Sequence, residues 1–210
     1  GLWRYRADQT VSSEADPVLL VHGLGSNNRT LALDEEYGLA QYLARRGFDC
    51  WAVDLRGRGA SDVPPSSWTF DAYAKQDLPA TVNYILEKTG RSALHWVGHS
   101  MGGMLYFALA GSLGFEDQIA TGTALASPIE FPDPRFVERI GAVLHGLPFA
   151  TNVKTNESVV SFLLAGLRMA PRRFEEFLYN PSNVDPAVLV RAAKTAFAGT
   201  SSQVLTQFPE

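Results

Sequence analysis

The chain is short of the residues that staple small domains or load them with metal. Of its 210 residues one is cysteine, Cys50, and four are histidine: His22, His95, His99 and His145. A single cysteine excludes an internal disulfide framework and any multi-cysteine metal site. Neither a metal nor a cofactor is expected. A basic excess is missing too. Lys and Arg total 18 against 22 Asp and Glu, a net charge of -4. Such a chain lacks the electrostatic footprint of a nucleic-acid partner. The longest apolar stretch, Met104 to Phe115, is broken by glycines and too short for a transmembrane segment. With 46% hydrophobic and 19% charged residues, the composition is that of a folded, soluble chain. One free thiol is compatible with a reducing compartment, which favours a cytoplasmic location over a secreted one.

Short apolar runs punctuate the first two-thirds. They are Pro17 to Val21, Phe48 to Val53, Leu94 to Val97 and, more weakly, Ile119 to Ala126. Continuous rather than alternating apolarity predicts strands buried on both faces, as in a parallel sheet. Trp3 to Arg6 alternates and reads as an antiparallel edge strand. Helical patterns lie between the runs. Leu39, Tyr42 and Leu43 share a face ahead of Gly47. Phe70 to Lys88 is helical, with Pro79 either kinking it or marking its true start, and Gly90 ends it. A third helix runs from Ser100 through Leu109. This β-α-β alternation predicts an α/β fold, a mostly parallel sheet with flanking helices.

After Phe131-Pro132-Asp133-Pro134 the pattern turns wholly helical. Asp185 is expected to cap a helix that opens with Pro186. Residues 1–134 therefore read as the core and 135–210 as a helical cap.

Gly98-His99-Ser100-Met101-Gly102 matches G-x-S-x-G between a strand and a helix, the context of a nucleophile elbow. Flanking glycines are needed because side chains at so sharp a turn would collide with neighbouring elements. Ser100 is the expected nucleophile, at a helix N-terminus that favours developing negative charge. Acyl transfer also needs two N–H donors for the tetrahedral oxygen. Met101 would supply one. Leu24, in the His22-Gly23-Leu24-Gly25 loop after the first buried strand, would supply the other. A third loop, Asp54 to Asp62, reads as structural, with Arg56 pairing Asp54 or Asp62.

These residues resemble the α/β-hydrolases: the HGLG, DLRGRGASD and GHSMGG segments stand in that family's order and spacing. Phe70 to Ala80, Asn83 to Gly90 and His95 to Ser100 resemble its acid lipase branch, which includes lysosomal and gastric lipases. The likeness covers about residues 15 to 130. It implies hydrolysis of carboxylic esters, with a small acyl ester or lipid as substrate. It also implies Ser100 as nucleophile, Leu24 and Met101 as oxyanion donors, and His22, Gly23, Gly98, His99 and Gly102 as supporting residues.

The chain departs from the family in one respect. The order Ser, acid, His requires a base after Ser100, and only His145 follows. His145 lies in a helical pattern and is not assigned to the site, nor are Glu130 and Asp133 taken as its acid. The expectation is that the fold is incomplete, with cap and sheet continuing past Glu210 to supply the acid and the histidine. A 210-residue chain would then be weakly active or inactive alone. A related acyltransferase and a catalytically inactive binding protein are the alternatives.

Overall fold

A computed structural model describes residues 1–6, 16–130, 180–196 and 200–207. The expectations for 131–179, including the histidine helix at His145 and most of the lid, lie outside the described residues. So does the boundary drawn at 134.

Five strands form one sheet in the order β1-β3-β2-β4-β5. They are β1 (Leu2–Tyr5), β2 (Val18–Val21), β3 (Cys50–Val53), β4 (Leu94–His99) and β5 (Ile119–Leu125). Only β1 runs antiparallel, pairing Leu2 with Val53 and Tyr5 with Cys50. The other pairings are parallel. The fold is thus the mostly parallel α/β sheet that the apolar runs predict. β2 and β3 are buried along their whole length. Their side chains alternate between two cores, as a period of two requires. Leu19, Val21, Trp51 and Val53 enter the larger one, while Val18, Leu20, Cys50 and Ala52 enter the smaller. The Cys50 thiol is buried there, and burial pushes its pKa up to about 12.

One expected buried strand is not buried. In β5 only Ile119 is, and Leu125 remains 38% exposed. Among the described residues β5 is the edge of the sheet, with a strand neighbour on one side only.

The helices that cover the larger core are α3 (Leu78–Thr89) and α4 (Met101–Ser112). Of the two expectations for the segment from Phe70 the second holds: Pro79 marks the true start of the long helix, which follows two shorter pieces. A short α2 (Phe70–Ala72) leads into a π turn (Tyr73–Asp77), and α3 follows with Pro79 in its first turn. Proline has no N–H to donate and resists the helix interior, so the irregularity sits just ahead of it. Gly90 ends α3 at φ 67°, a left-handed conformation natural to glycine, and its N–H reaches the Leu86 carbonyl. On the other face lies α1 (Leu39–Ala44). Its most buried residues are Ala40, Gln41 and Ala44; of the predicted Leu39-Tyr42-Leu43 stripe, Leu39 and Leu43 pack partly buried against the smaller core and Tyr42 does not. Tyr42 is 45% exposed and stacks under the Arg46 guanidinium.

Two later helices are described: α5 (Pro186–Thr195) and α6 (Ser202–Gln207). Asp185 caps α5 as expected, accepting the Ala187 N–H at 2.7 Å. Both helices attach to loops of the sheet. Trp68 N–H donates to Ser201 Oγ at 3.1 Å, and Val204 is buried in the larger core.

Asp54, at the C-terminal end of β3, joins two loops and the edge strand β1. It accepts from Asn28 N–H (2.8 Å), the Asn28 side-chain amide (2.9 and 2.8 Å), Ala60 N–H (3.0 Å) and Trp3 Nε1 (3.1 Å). Burial opposes its ionisation, but the bonds from Ala60, Asn28 and Trp3 outweigh it and hold the carboxyl below its usual range. Neutral donors saturate this carboxylate, so Arg56 does not pair with it, nor with Asp62. Arg56 instead forms a two-pronged bond to Asp77 in the π turn, Nε at 2.8 Å and an Nη at 2.6 Å from Oδ1. Replacing Asp54 with Ala leaves these buried donors without an acceptor. It should cost about 3 kcal/mol in urea unfolding at pH 7. A loss below about 1 kcal/mol would mean that the two loops and β1 hold together without it.

Candidate active site

Ser100 stands between β4 and α4 at φ 52°, ψ -117°. Among the described residues only Ser100 and Ala126 have positive φ without being glycine. That conformation is costly, of the order of 1–3 kcal/mol, and persists only where surroundings enforce it. Backbone packing enforces it here. A Cβ on Gly98 would lie 2.3 Å from the Gly102 carbonyl carbon, and one on Gly102 would lie 2.2 Å from the Val21 oxygen. No side chain fits at either position. The turn is further tied by Ser100 N–H to the Leu125 carbonyl at 2.8 Å. Trp96 on β4 is fully buried and donates its indole N–H to the Gly102 carbonyl at 3.0 Å. The G-x-S-x-G motif does not assign Trp96 a role; in the sequence it belongs to an apolar strand and to the segment that resembles the acid lipases.

Met101 begins α4 and is fully buried. Its N–H belongs to the first helical turn, whose donors have no intrahelical acceptor. The HGLG loop lies against the turn. A Cβ on Gly23 would meet His99 Nδ1 at 3.0 Å and Ser100 Cβ at 3.2 Å. Leu24, the next residue, packs partly buried on the larger core. Thus Ser100, Met101, Gly98, Gly102, His99 and the His22–Gly25 loop, apart by some 75 positions in sequence, meet at the C-terminal ends of β2 and β4. Parallel α/β sheets present their sites at that end.

The histidines have separate surroundings. His22 is fully buried. Its Nδ1 lies 2.8 Å from the Gly23 carbonyl, and its Nε2 accepts the Leu55 N–H at 3.3 Å. This pattern suits one neutral tautomer, with the proton on Nδ1. Burial is the largest influence on its pKa, which falls to about 4; the Gly23 carbonyl opposes this and nearby Arg58 reinforces it. His99 Nδ1 is buried without a hydrogen-bond partner, and burial likewise lowers its pKa. His95 bonds Thr121 Oγ1 at 2.9 Å. Among the described residues no imidazole bonds the Ser100 hydroxyl. Glu130 is exposed, and Asp133 and His145 lie outside the described residues.

The loop's other anchors were not anticipated. Ser26 Oγ donates to the Gly23 carbonyl at 3.0 Å, Asn28 is held by Asp54, and Asn27 bonds the end of α5. Their only trace in the sequence is a Ser-Asn-Asn run, which also reads as an ordinary turn.

Because His22 binds its proton less readily folded than unfolded, the folded state loses stability as pH falls from about 6.5 to about 4, and no further below. Over that window the loss from this group should be roughly 3 kcal/mol. Carbon-13 NMR of the labelled ring should show His22 neutral down to about pH 4. Titration near 6.5 would contradict the buried, neutral assignment.

The model of the alpha/beta hydrolase fold family matches residues 16–198. Lipase member K of Homo sapiens is 40% identical over 100 residues, which are 43% of this chain and 25% of that protein. The gastric triacylglycerol lipase of Homo sapiens is 38% identical over 172 residues, 77% of this chain and 37% of that protein. The solved E-2-(acetamidomethylene)succinate hydrolase superposes with a TM-score of 0.64 at 18% identity, covering 99% of this chain and 67% of the other; that likeness is one of fold. The chain spans between a quarter and somewhat over a third of the two lipases it matches. A match running from β2 to beyond α5 places the chain in the alpha/beta hydrolase fold family, with acid lipases among its relatives.

Proposed function

We propose that the complete protein is a serine hydrolase of carboxylic esters, lipase-like in substrate. The observation that carries this reading is Ser100. It holds a strained φ of 52° at a strand-to-helix turn, with Gly23 directly beside it. Strain of this kind is retained where function needs it. The kinship with triacylglycerol lipases supports acyl esters as the substrate class.

In this mechanism Ser100 Oγ attacks the ester carbonyl carbon while a histidine takes its proton. The Leu24 and Met101 N–H groups stabilise the oxyanion. The intermediate collapses, and the alcohol leaves carrying that proton. Water then repeats the sequence on the acyl-enzyme, releasing the acid and restoring Ser100. The base and its carboxylate partner come from sequence beyond Glu210. Support for this is that a single histidine, His145, follows Ser100 in the 210 residues, together with the fraction of each lipase that the chain spans. The cap, residues 135–210, serves as a lid that excludes water and shapes the acyl pocket.

The full-length protein should hydrolyse short-chain nitrophenyl esters. Ser100→Ala should lower kcat/KM at least about a thousand-fold, with the fold kept by circular dichroism. The 210-residue segment alone should be far weaker than the full chain. Full activity in the segment would place the base within it. Release of transesterified product in preference to free acid, when alcohols are added, would identify an acyltransferase. No Ser100-dependent turnover in the full chain would mark a binding protein.

A further inference from the structure

Helix α5 does not end on itself. Its last carbonyls need donors from elsewhere, as all helix C-termini do. One residue of the HGLG loop's extension provides two of them. Asn27 Nδ2 donates to the Thr195 carbonyl at 2.8 Å, and Asn27 N–H donates to the Ala196 carbonyl at 3.0 Å. Asn27 is itself buried, as are Ala193 and Ala196. A second attachment lies further back on the helix. Arg191 pairs with Asp34 at 3.1 Å and sits 5.3 Å from the Tyr37 ring centre. The helix thus rests on residues 27–37 at both places.

The other side of Asn27 leads to the reacting centre in a few steps. Its neighbour Ser26 donates to the Gly23 carbonyl, the same oxygen that faces His22 Nδ1. Gly23 packs against Ser100 Cβ. Its other neighbour, Asn28, is fixed by Asp54. The loop is therefore held from below by the sheet and from above by the end of α5. Any shift of α5 acts on Asn27, and Asn27 lies three residues from Leu24.

We propose that Asn27 is a positioning residue through which helix α5, part of the cap, sets the Leu24 N–H relative to Ser100. This rests on the serine-hydrolase reading above. It adds that cap position and oxyanion-donor alignment are one coupled variable. A cap displaced by substrate or product would alter the donor geometry through this link. Misplacement of a donor by a fraction of an ångström to an ångström is enough to change rate strongly.

The link can be cut without removing the local turn. Asn27 Oδ1 also accepts the Arg29 N–H at 2.9 Å, capping a short 3-10 turn, Asn28–Thr30. Asn27→Asp keeps that acceptor. It loses the donor to Thr195 and sets a negative charge against a helix C-terminus, which disfavours it. Arg191→Ala loosens the helix from its other attachment without touching the loop.

Both variants would be made in the full-length protein. Hydrogen exchange would be followed by mass spectrometry over peptides 22–28 and 186–196, with kcat and KM on a nitrophenyl ester. Asn27→Asp should speed exchange in both peptides together and lower kcat about ten-fold, with KM changed less than about two-fold. Arg191→Ala should speed exchange in the helix and, through Asn27, in the loop. Faster exchange confined to the helix, with loop and kcat unchanged, would overturn the proposal and leave Asn27 a simple anchor. A rise spread evenly over the whole chain would overturn it as well. If the wild-type protein turns over no ester, the serine-hydrolase reading fails, and the exchange data still decide whether loop and helix are coupled.

Discussion

The contact between Gly102 and the end of β2 governs the rest of the structure. A methyl group on Gly102 would lie 2.2 Å from the Val21 oxygen, so helix α4 is seated backbone to backbone on the neighbouring strand. The register follows suit: β2 and β4 pair in parallel with Val21 opposite Gly98, and β4 ends one residue later at His99. Two chains leaving the sheet at that level must pass close together. One turns sharply into α4, and the turn forces Ser100 to a positive φ. The other becomes the HGLG loop, where a methyl group on Gly23 would crowd His99 Nδ1 at 3.0 Å and Ser100 Cβ at 3.2 Å. Serine, helix N-terminus and candidate donor loop are brought together by a single packing constraint.

A polar layer supports that constraint from the side. Asp54 collects Asn28, Ala60 and Trp3, so that the loops after β2 and β3 and the edge strand β1 share one buried carboxylate. His22 bridges the same two loops by accepting from Leu55 and facing Gly23. Buried polar groups of this kind stabilise only when fully bonded. The cost is acid sensitivity: a proton forced onto His22 Nε2 would oppose the Leu55 N–H that it now accepts.

The parts that could be read in advance are those where local pattern and tertiary demand coincide. β2 and β3 are buried on both faces, so their residues are apolar without interruption. Gly98 and Gly102 are glycine because backbone fills the space a side chain would need. Asp185-Pro186 caps a helix by local chemistry alone. The parts that could not be read depend on partners distant in sequence. Arg56 pairs with Asp77 because a π turn brings that carboxylate to it, while the nearer Asp54 is occupied. In α1, Ala40 enters the smaller core with Leu39 and Leu43 against it, while Tyr42 turns out to Arg46. β5 is apolar enough to be taken for a buried strand, yet among the described residues it lies at an edge. Asn27 meets Thr195 across 168 positions, a separation no local pattern encodes.

In the proposed reading Ser100 is an activated nucleophile in the complete protein. Treating the full-length chain with a fluorophosphonate and mapping the adduct by peptide mass spectrometry tests it most directly. The reagent reacts with an assembled serine site and requires no knowledge of the natural substrate. A single adduct on the Ser100 peptide, abolished by Ser100→Ala, is the result expected. An unlabelled wild-type chain, or an adduct on another residue, would contradict the account.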